Sequence, residues 1–290
     1  MIPPAGLMTA LMRSRLAARH AHATIGIGER RSRAKGSGME FMDHREYQPG
    51  DDVRHLDPHL YARTGGYFVR QYAVTRQLPI AIVVDGSASM NFGTPTKFDF
   101  ARRLASALAF AGLAGGDVIE VGVYAGNRLS WSPRLRGMRR APVIFDWLAA
   151  QSPGGSGFVG ALGEGLRRLA HRGLAILLSD WWVDDAEADL KVLNSLRQEI
   201  IAVHITSPQE LDPVQLGAGE ARLVDSESGH EIELLIDDNV LDGYRTACAA
   251  WQDRVRQQII NRLGRYLPVR SDASLDRLLL HDWRRLGLIS

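Results

Sequence analysis

Four short, almost purely aliphatic runs constrain the fold more than any other feature of this sequence. Each has the length of a strand, and successive apolar side chains are typical of strands buried on both faces. The runs span residues 78–84, 118–124, 174–178 and 200–205. Segments with helical spacing of apolar residues separate them. The pattern therefore predicts the α/β class, with a mainly parallel sheet and helices on both faces.

The other segments divide the chain into three predicted parts. Residues 1–38 combine a helical pattern with a Gly-, Ser- and Arg-rich loop, and residues 39–76 form a turn-rich segment that we expect to pack on the main domain. Residues 77–290 hold the sheet, then a hairpin within 222–236 and helices at 240–265 and 274–287. Helices between the strands are predicted at 97–113, 145–150, 158–170 and 186–196.

Composition is that of an ordinary globular protein, since 45% of the 290 residues are hydrophobic and 23% are charged. The net charge is only +2, yet residues 1–35 hold seven basic residues and one acidic residue. We call residues 1–35 the basic head. Its charge indicates either a solvated arm that adds little to the core, which we favour, or a contact with nucleic acid. Cys248 is the only cysteine, which excludes an internal disulfide and favours a cytoplasmic location. We expect no membrane span.

Acidic residues end two of the predicted strands, at the sheet edge where ligands bind in this fold class. Asp85 opens the sequence Asp-Gly-Ser-Ala-Ser, and alternate residues of an extended loop point the same way, so Asp85, Ser87 and Ser89 can converge. Asp180 supplies a second carboxylate. This oxygen-rich set suits Mg²⁺, or alternatively Mn²⁺ or Ca²⁺. The other interpretation is a serine-rich turn that caps the helix near Phe98.

The same loop resembles the metal-ion-dependent adhesion site of von Willebrand factor A domains, which begins with Asp-x-Ser-x-Ser. In that resemblance the loop Gly154-Gly-Ser156-Gly157 stands where those domains place a threonine ligand. Serine replaces the threonine, and Gly157 replaces an acidic residue often found there, which is expected to weaken metal affinity. The metal ligands that the resemblance implies are Asp85, Ser87, Ser89, Ser156 and Asp180.

The wider pattern resembles one bacterial family, the domain-of-unknown-function family 58. Its motifs here include Arg45-x-Tyr-x-Pro-Gly-Asp51-Asp-Val-Arg54, Tyr61-Ala-Arg63 and Asp225-Ser-Glu227-Ser-Gly229. The resemblance implies a von Willebrand factor A-like, Rossmann-like fold. Such proteins are typically encoded with MoxR-type AAA+ ATPases, which implies action with that ATPase on a client protein in protein maturation or complex assembly. We therefore expect a non-enzymatic, metal-dependent protein-interaction domain.

Two further groups of residues are candidates for partner contact. Trp181 and Trp182 follow Asp180 directly, and either form an aromatic docking surface or pack inside the domain. Residues 45–63 form a charged segment, and its arginines either face a partner or, as we favour, join an internal salt-bridge network. They are Arg45, Arg54 and Arg63.

Two other functions are weighed against the interaction domain. Asp85 could serve a metal-dependent phosphohydrolase, but Ser87 stands where such enzymes need a second acidic residue. The sequence also has no G-x-S-x-G elbow and no P-loop. Nucleic-acid binding through the basic head is the second alternative. We favour the interaction domain over both.

Overall fold

The computed structural model describes residues 2–18, 39–74, 78–167, 173–182, 190–196, 198–211, 219–226, 229–262 and 264–290. Within it the chain forms two compact units. The larger unit contains the described residues from 78 onward together with helix α1 (Ala5–Leu11). The smaller unit contains the described residues 39–74.

The smaller unit is a β-hairpin that carries one helix in its connection. Strand β1 (Met39–Glu46) pairs antiparallel with β2 (Phe68–Val74), and α2 (Pro58–Thr64) lies between them in the chain. Asp57 begins α2, because its carboxylate accepts hydrogen bonds from the first free amides of the helix. The alternation of apolar and polar residues within 66–74 indicates β2, whereas the charged residues of β1 obscure its alternation.

The larger unit is built on seven strands. They are β3 (Pro79–Asp85), β4 (Val118–Ala125), β5 (Arg128–Trp131), β6 (Leu135–Arg136), β7 (Leu174–Ser179), β8 (Glu199–Thr206) and β11 (Arg265–Arg270). The order is β11-β8-β7-β3-β4-β5, and β6 also pairs with β4. Five neighbouring strands are mutually parallel, namely β11, β8, β7, β3 and β4. Strands β5 and β6 run antiparallel to β4.

Helices cover both faces of this sheet. They are α3 (Lys97–Ala114), α4 (Ala141–Ala149), α5 (Phe158–Arg167), α6 (Pro208–Leu211) and α7 (Asp238–Asn261). Ile80, Ile82 and Val84 of β3 join the core beneath α3 and α4, whereas Ala81 and Val83 join the core beneath α5 and α7. This arrangement confirms the predicted α/β class. No helix of the described ranges combines the length and apolar character needed to cross a bilayer.

The strand order reverses beside β3, and this switch point positions the candidate site. β4 lies on one side of β3, and β7 followed by β8 lies on the other. In a doubly wound sheet the crevice for ligands opens at the carboxyl ends of the strands on either side of such a reversal. Asp85 ends β3 and Asp180 directly follows β7, so both residues lie at this edge.

The C-terminal part differs from the sequence prediction in two places. The hairpin is confirmed, with β9 (Gly219–Val224) paired to β10 (Glu231–Ile236). The predicted helix 240–265 is wrong at its end, because α7 stops at Asn261 and the chain re-enters the sheet as β11. The predicted helix 274–287 is helical from Leu275 to Arg285, but its middle part, Leu278–Asp282, is a π-helix between the α-helical turns Leu275–Arg277 and Trp283–Arg285.

The intervening helix predicted at 186–196 is only partly within the described residues. Residues 183–189 lie outside them, and Leu190–Ser195 forms a 3₁₀ helix. The loop predicted between residues 19 and 38 also lies outside them, and so do Glu227 and Ser228 of the family motif. Those predictions are therefore not addressed by the structure.

The expectation that the basic head adds little to the core is wrong for α1. Leu7 and Leu11 are fully buried in the cluster that also contains residues of α3. Leu16 bridges to Ile289, and the Arg15 amide donates to the Ser290 carbonyl at 3.0 Å. The helical spacing of the leucines was visible in the sequence, but the many arginines around it suggested solvent exposure.

We expect Leu11→Ala to lower the free energy of unfolding by about 2–5 kcal/mol, because the truncation leaves a cavity in a packed core. Met12→Ala is the matched control, since Met12 is 45% exposed, and it should change stability by less than about 0.5 kcal/mol. Urea denaturation of the two variants measures both values. Equal midpoints for Leu11→Ala and the unmodified protein would contradict the placement of α1.

Candidate functional site

The Asp85 loop forms the first wall of the candidate site. The Asp85 carboxylate accepts a hydrogen bond from the Ser87 amide at 2.8 Å and one from the Ser179 hydroxyl at 2.6 Å. The hydroxyl oxygens of Ser87 and Ser89 lie 3.1 Å apart. Asp85, Ser87 and Ser89 are all buried. The three predicted residues of this loop therefore converge on one small volume at the end of β3.

Two glycines let a neighbouring loop pack tightly against the Asp85 loop. A Cβ atom at Gly86 would lie 2.5 Å from the Tyr124 carbonyl oxygen, so a larger residue is excluded there. The Gly154 amide donates to the Gly86 carbonyl at 2.6 Å, and the Ala88 amide donates to the Gly155 carbonyl at 2.8 Å. Gly155 has φ +86°, a conformation that favours glycine. These bonds fix the loop that carries Ser156 beside the serines.

Ser156 is placed near the site by its backbone and not by its side chain. Its amide donates to the Asn127 side-chain oxygen at 2.9 Å, and its carbonyl accepts from the Tyr124 hydroxyl. The residue is exposed, and within the described part of the chain its hydroxyl makes no hydrogen bond to the other four predicted ligands. The structure thus brings together Asp85, Ser87, Ser89 and Asp180 and leaves Ser156 at the rim.

Ser179 connects the two acidic residues of the site. Its hydroxyl donates to Asp85 and accepts a hydrogen bond from the Trp181 amide at 2.8 Å. Trp181 has φ +56°, a left-handed conformation that costs a residue with a side chain roughly 1–2 kcal/mol. The Trp181 indole, which donates to the Val203 carbonyl at 3.2 Å, and the Ser179 bond hold this turn in place. The turn sets where the Asp180 carboxylate lies.

The environment of Asp85 disfavours its negative charge. Burial, followed by the nearby Asp180 carboxylate, raises the pKa of Asp85 to about 7, although hydrogen bonds from Ser179 and Ser87 oppose the shift. Among the described residues no lysine or arginine forms an ion pair with Asp85. Two buried carboxylates therefore share a site in which one of them has hydrogen-bond donors but no cation.

The second carboxylate does have a cation. The Lys97 ammonium, on the first residue of α3, donates to Asp180 at 2.7 Å and also to Glu210. The other Asp180 oxygen accepts from the Trp182 amide at 3.2 Å. Lys97 is almost completely buried, at 2% exposure. The site therefore consists of two neighbouring carboxylates, the hydroxyls of Ser87, Ser89 and Ser179, and one ammonium bound to Asp180.

A divalent cation fits this set of donors. Carboxylate and hydroxyl oxygens are the ligands that Mg²⁺ prefers, and the unpaired Asp85 charge lies where a cation would stabilise it. Asp85, Ser87, Ser89 and Asp180 would hold such an ion. The described residues contain no group of three or more His, Cys, Asp or Glu side chains that could hold a metal ion. Among them, the acidic ligands offered to an ion are therefore the two carboxylates of Asp85 and Asp180, assisted by hydroxyls.

The two tryptophans after Asp180 differ completely in exposure. Trp181 is fully buried, so the expectation that it contributes to a docking surface is wrong. Trp182 is 57% exposed, and its ring meets Trp251 of α7 edge to face with centroids 4.4 Å apart. His204, buried beneath Trp251, has its pKa lowered by burial to about 4. The exposed Trp182 ring, packed on the half-buried Trp251, thus lies directly after the Asp180 carboxylate.

The charged segment of the smaller unit is largely paired within itself. Its ion pairs are Arg45–Asp51, Arg54–Asp52, and Asp57 with both His44 and Arg70. Hydrogen bonds from the Arg54 side chain lower the pKa of Asp52 to about 2. These pairs support the internal network over a partner-facing role for Arg45 and Arg54. Arg63 is exposed, and a partner contact there remains a prediction.

Sequence reasoning missed three residues that complete the site. Lys97 was predicted only as the start of a helix, and neither Ser179 nor Glu210 was given a role in the site. Ser207 and Glu210 do form the Ser-x-x-Glu capping pattern, with amide-to-side-chain bonds of 2.8 and 3.1 Å, so α6 was detectable. Nothing in the spacing indicated that Glu210 meets Lys97, 113 positions away.

The fold and site together define an α/β protein with an acidic, hydroxyl-lined cleft at the switch point of its sheet. The chain belongs to the family described as protein of unknown function DUF58, whose pattern matches residues 43–254. Uncharacterized proteins of Mycobacterium tuberculosis and Mycobacterium bovis are 31% identical to it over 248 residues. The match covers 82% of this chain and 76% of each relative. The suspected family is therefore confirmed.

Several solved structures are similar at low sequence identity. The conserved hypothetical protein BatB from Bacteroides thetaiotaomicron has a TM-score of 0.44 and 14% identity, covering 72% of this chain and 98% of its own. The von Willebrand factor A domain of SpRpn10 has a TM-score of 0.42 and 13% identity, covering 69% and 92%. An aerotolerance-related membrane protein from Bacteroides fragilis has a TM-score of 0.41 and 16% identity, covering 66% and 91%.

We expect Ser179→Ala to lower the free energy of unfolding by about 1–3 kcal/mol, because it removes one of the donors to the buried Asp85 carboxylate and leaves the Trp181 amide without its acceptor. Ser106→Ala is the control, since the buried Ser106 hydroxyl only donates to a helix carbonyl and should cost less than about 1 kcal/mol. Denaturant titration compares them. Equal losses for the two variants would show that the Ser179 bridge is not formed.

Proposed function

We propose that this protein is a metal-dependent protein-interaction domain. One observation carries the proposal: Asp85 and Asp180 are buried side by side at the switch point of the sheet, and Asp85 forms no ion pair with the described lysines and arginines. A folded protein tolerates two such carboxylates only if positive charge or protons compensate them. A bound Mg²⁺-sized ion supplies that charge, and the paired hydroxyls of Ser87 and Ser89 supply further oxygen ligands.

The way in which such an ion holds a partner follows from its chemistry. When bound, Mg²⁺ keeps coordination positions that water or an outside oxygen can take, and it favours an anionic oxygen there. A Glu or Asp side chain of the partner is therefore the natural ligand. Within this chain, Asp85 and Asp180 hold charge at the strand ends, while the Gly154–Gly155 bonds keep Ser156 at the exposed rim beside them.

The partner that we propose is a MoxR-type AAA+ ATPase, acting with this domain on a client protein in the cytoplasm. This part of the proposal rests on the family, because its members are typically encoded with such ATPases. The exposed Trp182–Trp251 pair supports a protein surface as the ligand, since aromatic side chains next to a desolvated charged contact commonly dominate binding energy.

A binding role fits this geometry better than hydrolysis. An aspartyl nucleophile must be free to attack, whereas both Asp85 oxygens already accept hydrogen bonds from Ser87 and Ser179. The buried His204 ring pairs with the Tyr266 hydroxyl at 2.6 Å rather than with a serine of the Asp85 loop. The Ser87 hydroxyl accordingly contacts Ser89 and Asp85 and, among the described side chains, hydrogen-bonds to no histidine.

We expect Asp85→Ala to abolish binding of the AAA+ ATPase while the domain stays folded, because one of the two carboxylates that hold the ion is lost. Excess EDTA should abolish binding by the unmodified protein in the same way, and added Mg²⁺ should restore it. A pull-down with each protein measures binding, and circular dichroism verifies folding. Binding that continues unchanged in EDTA would place the contact elsewhere and reject the metal-dependent mechanism.

Trp182→Ala should weaken the same complex by roughly 1–2 kcal/mol, because an exposed aromatic ring beside the ion would be buried on binding. Leu286→Ala is a matched control: Leu286 is 51% exposed, and its carbonyl meets Arg265 at the start of β11, so it lies at the opposite edge of the sheet. Calorimetric titration of both variants gives the two affinities. An unaltered affinity for Trp182→Ala would remove this ring from the interface.

A further inference from the structure

Lys97 occupies a position that is unfavourable for a cation on three counts. It is 2% exposed, so its ammonium has lost nearly all its water. It is the first residue of α3, where the positive end of the helix dipole repels a cation. Its long side chain is also immobilised. Thr96 already caps α3 by accepting from the Asp99 amide, so the helix does not need Lys97.

Only the two carboxylates compensate for these costs. Burial by itself lowers the pKa of Lys97, but Asp180 and Glu210 outweigh burial and hold the pKa above its ordinary value. The ammonium is therefore charged. Asp180 lies 2.7 Å from Nζ and is itself buried, whereas the Glu210 side chain is 27% exposed. The stabilisation of the Lys97 ammonium thus depends more on Asp180, which is also a predicted metal ligand, than on Glu210.

We propose that Lys97 is the resident cation of the acidic site, which neutralises Asp180 in the metal-free protein and competes with a divalent ion for that carboxylate. The proposal rests on the metal site of the proposed function and adds a residue that sets its affinity. Lys97 does not contact the ion in this scheme. It acts through Asp180 and is a positioning residue.

Glu210 makes such a competition possible without leaving a buried charge unpaired. Its carboxylate accepts from the Lys97 ammonium and also from the Ser207 amide at 2.8 Å. The Ser207 hydroxyl in turn accepts from the Glu210 amide at 3.1 Å, which fixes the turn. Lys97 therefore stays paired with the Glu210 carboxylate when Asp180 binds a divalent ion instead. In the part of the chain that the structure describes, Asp85 has no cationic partner, so the cost of admitting an ion falls on the Asp180 pair.

The test compares full-length Lys97→Met and Lys97→Arg with the unmodified chain, with Mn²⁺ as the probe. Methionine keeps most of the side-chain volume and removes the charge, so Mn²⁺ should bind at least about tenfold more tightly, since like charges a few ångströms apart repel by several times the thermal energy. Lys97→Met should also melt at a lower temperature without metal and recover when Mn²⁺ is added. Lys97→Arg should keep the original affinity.

Calorimetry and thermal melts give the readouts, and the outcomes separate the two proposals. Unchanged or weaker Mn²⁺ binding by Lys97→Met overturns the role of Lys97, even if the unmodified protein binds Mn²⁺ well. If the unmodified protein binds no Mn²⁺, the metal-dependent function fails, whereas binding gained by Lys97→Met still supports the competing cation. Should Lys97→Met not fold, Glu210→Gln replaces it in the test. Without the Glu210 charge, Asp180 is the carboxylate that compensates Lys97, so the affinity of the protein for Mn²⁺ should fall. An unchanged Mn²⁺ affinity of Glu210→Gln would overturn the proposal.

Discussion

The structure depends on one unfavourable arrangement, the burial of two carboxylates next to each other at the ends of adjacent parallel strands. The pairing of β3 with β7 forces it, because Val84 lies opposite Leu178 and the next residues bring Asp85 to Ser179 and Asp180. In a medium of low dielectric constant each charge raises the energy of the other. Neighbouring groups offset this repulsion or position the two carboxylates: the surrounding serines, the Lys97 ammonium and the left-handed Trp181 turn.

The two carboxylates are stabilised by different means, and this asymmetry is informative. Asp180 has an ammonium on one oxygen and an amide on the other. Asp85 has a hydroxyl and an amide, which are neutral donors that can donate to the carboxyl group whether it is charged or protonated. The site therefore contains one ion-paired carboxylate and one carboxylate that has only neutral donors among the described residues. A cation that binds there would compensate the second carboxylate and compete with Lys97 for the first.

The sequence was sufficient for the α/β class and for four of the five parallel strands, because buried aliphatic runs have few alternatives to a central strand. β11 was missed because an edge strand with charged residues at both ends and Pro268 within it lacks that signal. The residues of the Asp85 loop were predictable because they are contiguous. Lys97 and Glu210 were not, since a long-range ion pair depends on the packing of elements that local periodicity does not encode.

The pairing of α1 and its following segment with residues 288–290 has a consequence for the folding pathway. Arg284 and Ser14 join across 270 positions at 2.9 Å, and Leu7, Leu11 and Trp283 lie in one core. Contacts this distant in sequence require the closure of a very large loop, which slows folding. During synthesis the leucine face of α1 leaves the ribosome long before its covering residues exist. Until those residues are made, that face is exposed apolar surface of the kind that promotes aggregation.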